Sequence, residues 1–165
     1  AVTGADRVVG RDALVARIGE TRAGGRTVAF ANGMFDLLHV GHLRYLEGAA
    51  AEADVLVVAV NSDRSSRALM GPGRPVVPEH ERAELVGGLA CVSWVTIFDE
   101  PTVEPLLRAV RPDVHCKGTD YTPETVPERA IAAELGIRVA IVGDPKDHAT
   151  TDLLRRLSEG EPPDA

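Results

Sequence analysis

Two histidines three residues apart, His39 and His42, have the side-chain types and spacing in this sequence that best suit chemistry. They follow an apolar stretch that ends at Asn32-Gly33, and Gly41 stands between them where a helix is predicted to begin. Gly33 lets the backbone turn tightly and approach a ligand closely. A helix start that gathers imidazole and backbone N–H donors can hold a triphosphate, and such donors stabilise the charge that develops at a phosphoryl centre under attack. The segment therefore predicts a triphosphate site.

Two other interpretations of the histidine pair stay open at this point. A histidine at a helix start is often only a cap or a surface residue. Pairs of histidines also bind zinc, and Asp36 is the one further candidate ligand nearby in the sequence. The glycine between the histidines, directly after Gly-x-Phe-Asp, favours the phosphate site over both.

Short β-branched and apolar runs alternate with amphipathic segments along the chain. Strands are predicted over 27–32, 54–61, 92–98, 113–117 and 137–143, and helices over 11–23, 41–53, 78–89, 102–110, 127–135 and 150–158. Near-continuous apolar strands separated by helices are typical of a parallel sheet that is covered on both faces. We therefore predict an α/β fold, a single Rossmann-like doubly wound domain over 1–165 with a five-stranded, mainly parallel sheet. Its core spans about 26–157, and 159–165 is a polar tail.

Polar residues gather after four of the predicted strands. In a doubly wound sheet, ligands bind beyond the carboxyl ends of the strands, where the strand order reverses. The segments to consider are 32–42, 61–67, 117–121 and 148–151, the last of which begins at His148. We expect them to meet at one edge of the sheet and to form the site.

Charge and cysteine usage restrict the class of protein. The 165 residues carry a formal net charge of −7, which argues against a nucleic-acid or membrane binder because phosphate surfaces demand clustered Lys and Arg. Cys91 and Cys116 stand singly in apolar stretches, as expected in a reducing compartment. No apolar run approaches the roughly 18 residues of a membrane span, and no secretory signal is apparent. We expect a cytoplasmic protein.

The segment GMFDLLHVGH, residues 33–42, resembles the Gly-x-Phe-Asp…His-x-Gly-His signature of the cytidylyltransferase-like nucleotidyltransferase superfamily. The resemblance extends over about 11–157. Within the superfamily, residues 58–82 (VAVNSDRSSRALMGPGRPVVPEHER), KGTDY at 117–121 and HATTDLLR at 148–155 resemble D-glycero-β-D-manno-heptose 1-phosphate adenylyltransferase. In many organisms that activity is the C-terminal half of a protein fused to a sugar kinase.

The resemblance implies a role for each matching residue. The catalytic residues would be His39, His42 and Lys117, which contact phosphates. The nucleotide would be bound by Asn32, Gly33, Met34, Phe35, Asp36, Gly41, Arg82, Thr150 and Thr151. The substrate side would be lined by Asn61, Ser62, Asp63, Arg67, Arg74 and Asp120. Mg²⁺ would bridge triphosphate oxygens without a dedicated protein site, and a homodimer is implied.

Three residues depart from the heptose branch. Met34 replaces a usual Cys, and Ala149 replaces a Ser before the two threonines. Met70 replaces a Lys, which removes a charge that would be worth about 1.5–3 kcal/mol to a bound triphosphate. We expect Arg67 or Arg74, as residues of the same loop, to substitute for it. The hypothesis is that the departures mark an altered sugar-phosphate or nucleotide preference rather than an inactive enzyme.

The sequence predicts an enzyme that transfers AMP from ATP to heptose 1-phosphate, giving ADP-heptose and pyrophosphate. A cytidylyltransferase acting on glycerol 3-phosphate or another phosphorylated alcohol or sugar is the enzymatic alternative. A nucleotide-binding module that has lost its chemistry is the alternative of another class, and Met70 and Ala149 favour it.

Overall fold

Five strands form one sheet in the computed structural model, which describes residues 1–145 and 149–162. They are β1 (Val28–Gly33), β2 (Val55–Asn61), β3 (Trp94–Phe98), β4 (Val114–Lys117) and β5 (Arg138–Ile141). Each neighbouring pair is parallel, so the sheet that was expected to be mainly parallel is parallel throughout. The α/β fold with five strands is thereby confirmed.

Helices connect the strands and cover the sheet. The described residues contain α1 (Arg11–Ala23), α2 (Val40–Ala50), α3 (Asp63–Met70), α4 (Glu79–Gly87), α5 (Glu104–Val110), α6 (Arg129–Leu135) and α7 (Thr150–Glu159). A short 3₁₀ turn, Ala5–Arg7, precedes α1. All of the predicted helices are present. The first residue of the predicted tail, Glu159, belongs to α7, and 163–165 lie outside the described residues.

Helix α3 was not predicted. Ser62 caps it by accepting a hydrogen bond from the Ser65 amide at 3.0 Å, and Gly71, with a positive φ of 85°, ends it. The polar segment 61–67 is therefore partly helical. Arg67 lies within α3 whereas Arg74 lies in the loop that follows, so the expectation that both belong to one loop was wrong.

Apolar side chains on both faces of the sheet account for the near-continuous apolar strands. Successive strand residues point to opposite faces. In β2, Val58 and Val60 pack in one cluster with α2 and α4, while Val57 and Ala59 pack in the other with α1, α5 and α6. Fully burying a Val or Leu side chain contributes about 1.5–3 kcal/mol. The layers on both faces thus hold the strand ends in fixed positions.

The strand order is β3-β2-β1-β4-β5. The chain moves from β1 to one side of the sheet through β2 and β3, and then returns to the other side of β1 with β4. The order therefore reverses between β1 and β4, which is where a doubly wound sheet opens a crevice. Within the part of the chain that the structure describes, no helix is long and apolar enough to cross a membrane.

Candidate functional site

A cavity of about 320 Å³ opens at the reversal point, beyond the ends of β1, β4 and β5. Its volume is in the range of small-molecule sites. Most of the predicted site residues line it, namely Asn32, Gly33, Met34, Phe35, Asp36, His39, Gly41, His42, Arg74, Asp120, Thr150 and Thr151, and so do the departing residues Met70 and Ala149. The segments after β1, β4 and β5 thus meet as expected, whereas no residue of 61–67, the segment after β2, lines the cavity.

The two histidines are fixed by the start of α2. His39 is the N-cap residue, and its Nδ1 accepts a hydrogen bond from the Gly41 amide at 3.1 Å. Nδ1 of His42 accepts one from the His39 amide at 3.2 Å. The rings lie side by side with centroids 4.0 Å apart. Because Nδ1 of each ring accepts a backbone amide, the neutral form of each ring carries its proton on Nε2, and an N–H group of this kind is a donor to anions.

The backbone between β1 and α2 is held in an unusual conformation. Phe35 and Leu37 have positive φ values of 53° and 49°, which costs about 1–3 kcal/mol for a residue with a side chain. The buried Phe35 ring contacts the rings of His42 and Tyr45, with centroids 5.6 and 6.5 Å away. A Cβ atom at position 33 would lie 3.2 Å from the Phe35 ring, so Gly33 permits this packing. Packing of Phe35 thus holds the segment that carries the histidines.

Asp36 is buried and hydrogen-bonded to the loop after α3, which also contributes to the cavity wall. It accepts hydrogen bonds from the amides of Val76 and Val77 at 2.9 and 3.0 Å and from Nε of Arg74 at 2.9 Å. Burial opposes ionisation of this carboxyl group, but the three donors outweigh it and lower the pKa of Asp36. The aspartate therefore stays charged and joins the segment after β1 to the loop after α3.

The start of α7 forms another wall. The Thr150 hydroxyl donates to the Asp36 carbonyl oxygen at 2.8 Å. The N-cap residue, Ala149, makes no side-chain cap hydrogen bond. Helix N-terminal amides favour anions, and the neighbouring Thr151 also lines the cavity. His148, which was expected in this segment, lies outside the described residues.

Lys117 does not line the cavity in this structure. It is the last residue of β4 and is buried, with Nζ 3.6 Å from Oε2 of Glu128 and 4.7 Å from the centroid of the Tyr121 ring. Its neighbour Gly118 does line the cavity. The catalytic role of Lys117 stays a prediction.

Five further predicted site residues lie outside the cavity lining. Arg82 is fully buried and donates to the carbonyl oxygens of Met34 and Val77 and to Oδ1 of Asp63. This guanidinium therefore stabilises the segment after β1 through the Met34 carbonyl oxygen, without lining the cavity. Of the other four, Asn61 donates a hydrogen bond to Ser65 and Ser62 caps α3. Asp63 forms an ion pair with Arg82, and Arg67 is exposed.

Several residues of the cavity wall were not predicted from the sequence. Arg44 and Tyr45 of α2 line the cavity, and Arg44 pairs with Asp144 at 2.7 Å. The Tyr45 hydroxyl donates to the Cys116 carbonyl oxygen at 2.7 Å, and burial raises the pKa of the phenol. Tyr45 follows His42 by three residues in a helix, so helical spacing could have placed both on the same face.

The sequence of this chain matches the model of a known protein family across the whole site. The model of the cytidylyltransferase-like family matches residues 30–152, which include both histidines and every segment of the cavity. This chain belongs to the cytidylyltransferase-like family.

Curated relatives of this cytidylyltransferase-like chain are several times longer. It is 45% identical to the bifunctional protein HldE of Syntrophotalea carbinolica over 82% of the chain and 28% of that protein. It is 43% identical to the HldE protein of Methylobacillus flagellatus over 93% of the chain and 32% of that protein. The chain thus spans about a third of the length of these relatives.

A solved structure supports the same fold. The lipopolysaccharide core biosynthesis protein from Thermoplasma volcanium superposes with a TM-score of 0.62 at 25% identity. The match covers 74% of this chain and all of that one.

Proposed function

We propose that this domain, over residues 1–165, is a nucleotidyltransferase that moves AMP from ATP to D-glycero-β-D-manno-heptose 1-phosphate. The observation that carries the proposal is the pair of histidines whose Nδ1 atoms accept backbone amides at the start of α2. Identities of more than 40% to HldE proteins and the resemblance of residues 58–82 and 117–121 to heptose 1-phosphate adenylyltransferases support the substrate. The structural neighbour named for lipopolysaccharide core biosynthesis is consistent with a saccharide substrate.

The reaction is a single displacement at phosphorus. A phosphate oxygen of heptose 1-phosphate attacks the α-phosphorus of ATP, the bond to the β-phosphate oxygen breaks, and pyrophosphate leaves with both electrons of that bond. Negative charge grows on the α- and β-phosphate oxygens during this step. The Nε2–H groups of His39 and His42 and the amides at the start of α7 are the donors that we assign to that charge.

We expect Mg²⁺ to enter the cavity bound to the triphosphate. Among residues 1–145 and 149–162, no group of three or more His, Cys, Asp or Glu side chains could hold a metal ion. Mg²⁺ commonly uses one or two carboxylates together with phosphate oxygens and water, and Asp120 is a carboxylate of the cavity wall. The bound cation would neutralise triphosphate charge.

The remaining assignments are also proposals. Lys117 would turn from Glu128 toward the phosphates, and Asn61, Ser62, Asp63 and Arg67 would lie on the substrate side. The resemblance supports a homodimer, which analytical ultracentrifugation would test. The free thiols of Cys91 and Cys116 suit the reducing cytoplasm that we propose as the location.

The test is pyrophosphate release with Mg²⁺, in which ATP, CTP or GTP is paired with heptose 1-phosphate or glycerol 3-phosphate. We expect release with ATP and heptose 1-phosphate and a loss of about 100-fold or more in His42→Ala, because preorganised donors are worth that much in acyl transfer. Release only with CTP and glycerol 3-phosphate would replace the substrates and keep the mechanism. No release from any pair, with nucleotide still bound, would contradict the enzyme and favour the binding module.

A further inference from the structure

His115 of β4 is a buried polar side chain to which the proposed chemistry gives no role. It is fully buried, and it lies in register with Phe30 of β1, whose ring it meets edge-on with centroids 5.7 Å apart. A buried imidazole without a hydrogen bond is costly. The stability of the fold therefore depends on the group to which this side chain is hydrogen-bonded.

That partner is a residue of the cavity wall. Nε2 of His115 lies 2.9 Å from Oδ1 of Asn32, at the end of β1. Burial, and then the charge of Lys117, lower the pKa of His115 to about 3, so the ring is neutral at working pH. A neutral imidazole carries one N–H, and Nδ1 has no hydrogen-bond partner among the described residues. The proton therefore lies on Nε2, which donates to Oδ1 of Asn32.

This hydrogen bond determines which end of the Asn32 amide is available to a ligand. The carboxamide is planar, so holding Oδ1 at His115 leaves Nδ2, with its two protons, as the free end of the group. Asn32 is half-buried and lines the cavity. We propose that His115 is a positioning residue, which holds Oδ1 of Asn32 so that the Nδ2 protons of that side chain meet the nucleotide phosphates. The inference rests on the proposed function, since a polyanionic ligand is what requires donors there.

The opposite orientation of the amide is unfavourable on two counts. Nδ2 would then donate to Nε2 of His115, and the imidazole proton would move to Nδ1, a buried atom without an acceptor among the described residues. Oδ1 of Asn32 would also face the phosphate oxygens, where an acceptor repels the ligand. The tautomer of His115 thus reports the orientation of Asn32.

The first test reads that tautomer directly in the wild-type chain by ¹⁵N NMR of labelled histidines, with His115→Gln to assign the signal. We expect Nε2 to carry the proton and Nδ1 to be unprotonated between about pH 5.5 and 8, well above the lowered pKa. A proton on Nδ1, or a charged ring in this range, would overturn the inference.

The second test measures ATP binding by calorimetry, together with kcat and KM. His115→Leu removes the donor and suits the apolar layer, whereas His115→Gln keeps an N–H at a similar reach. We expect His115→Leu to weaken ATP binding about five- to tenfold, chiefly through KM, and His115→Gln to stay within about twofold of wild type. In Asn32→Ala, adding His115→Leu should cause no further loss. Thermal melts of each variant identify any that fails to fold.

The outcomes separate this inference from the proposed function. Wild-type binding in folded His115→Leu, or a loss that adds to that of Asn32→Ala, would overturn the role of His115 and leave the proposed function intact. A wild-type chain that neither binds nor turns over nucleotide would overturn the proposed function and this inference with it.

Discussion

Nε of Arg74 lies 2.9 Å from Oδ2 of Asp36, and this ion pair fastens the loop after α3 to the segment that precedes His39 and His42. The side chain of Asp36 is 1% exposed and that of Arg74 is 14% exposed. Removing one partner of a buried pair leaves the other charge uncompensated. We therefore expect Asp36→Asn to lower the free energy of unfolding by about 3 kcal/mol at pH 7, as measured by urea denaturation. Asp12→Asn, at an exposed position of α1, is the control.

Acid should remove the contribution of Asp36 to the free energy of unfolding. Its pKa is lowered in the folded state, so the stabilisation is present above the unfolded-state pKa of about 4 and is lost as pH falls through the folded pKa. The difference in unfolding free energy between wild type and Asp36→Asn should therefore shrink below about pH 4. A difference that stays constant down to pH 2 would contradict the assignment.

Arg82 should contribute to the stability of the fold rather than contact the nucleotide directly. Its guanidinium makes three hydrogen bonds in a fully buried position, and an ammonium group cannot reproduce that fork. We expect Arg82→Lys to lower the free energy of unfolding by about 3 kcal/mol, while the same change at the exposed Arg67 leaves it within about 0.5 kcal/mol. Unchanged stability together with lost ATP binding would instead make Arg82 a nucleotide contact.

Lys117 and Glu128 should be energetically coupled. Their charged groups lie 3.6 Å apart with side chains 10% and 13% exposed, and Oε2 of Glu128 has no hydrogen-bond partner among the described residues. Lys117→Met and Glu128→Gln should each destabilise the fold by about 2 kcal/mol, and the double variant should lose less than the sum. Strict additivity in the urea double-mutant cycle would show that the pair does not interact.

Met70 should be a site at which nucleotide affinity can be gained. It is the last residue of α3, is 45% exposed and lines the cavity. We expect Met70→Lys to lower the KM for ATP about tenfold, because one charge-assisted contact to phosphate is worth at least about 1.5 kcal/mol. The gain should shrink at high salt. Leu69→Lys adds the same charge at a neighbouring exposed residue that is not part of the cavity wall, so an equal gain there would argue for a general charge effect.

The fold could be predicted because its strands are short, near-continuous apolar runs. Val55–Asn61 is buried at every position, which is the pattern expected of a strand covered on both faces of a parallel sheet. Helix α3 escaped prediction because Asp63–Met70 is mostly polar, and its two buried residues, Ser65 and Ser66, are serines. Its start depends on the hydroxyl of Ser62, a local contact that hydrophobic periodicity does not reveal.

The site could be predicted where its residues share one segment. His39 and His42 were found from their spacing, and the strand ends were found from the expected topology. Long-range pairing was not predictable, since Arg74 meets Asp36 across 38 residues and Arg82 reaches Met34 across 48. His115 gave no signal either, because a single histidine in an apolar strand does not indicate that a residue 83 positions away accepts its hydrogen bond.

Direct transfer of AMP to a sugar phosphate can be distinguished from other attacks on ATP by isotope labelling. Heptose 1-phosphate that carries ¹⁸O at its three terminal phosphate oxygens would be incubated with ATP, Mg²⁺ and the wild-type chain, with His42→Ala in parallel. We expect an ADP-sugar that retains all three labels, one of them in the bridge to the α-phosphorus, together with unlabelled pyrophosphate. AMP beside unchanged labelled sugar phosphate, which is hydrolysis by water, or ADP with a sugar 1-diphosphate, which is attack at the γ-phosphorus, would contradict this mechanism.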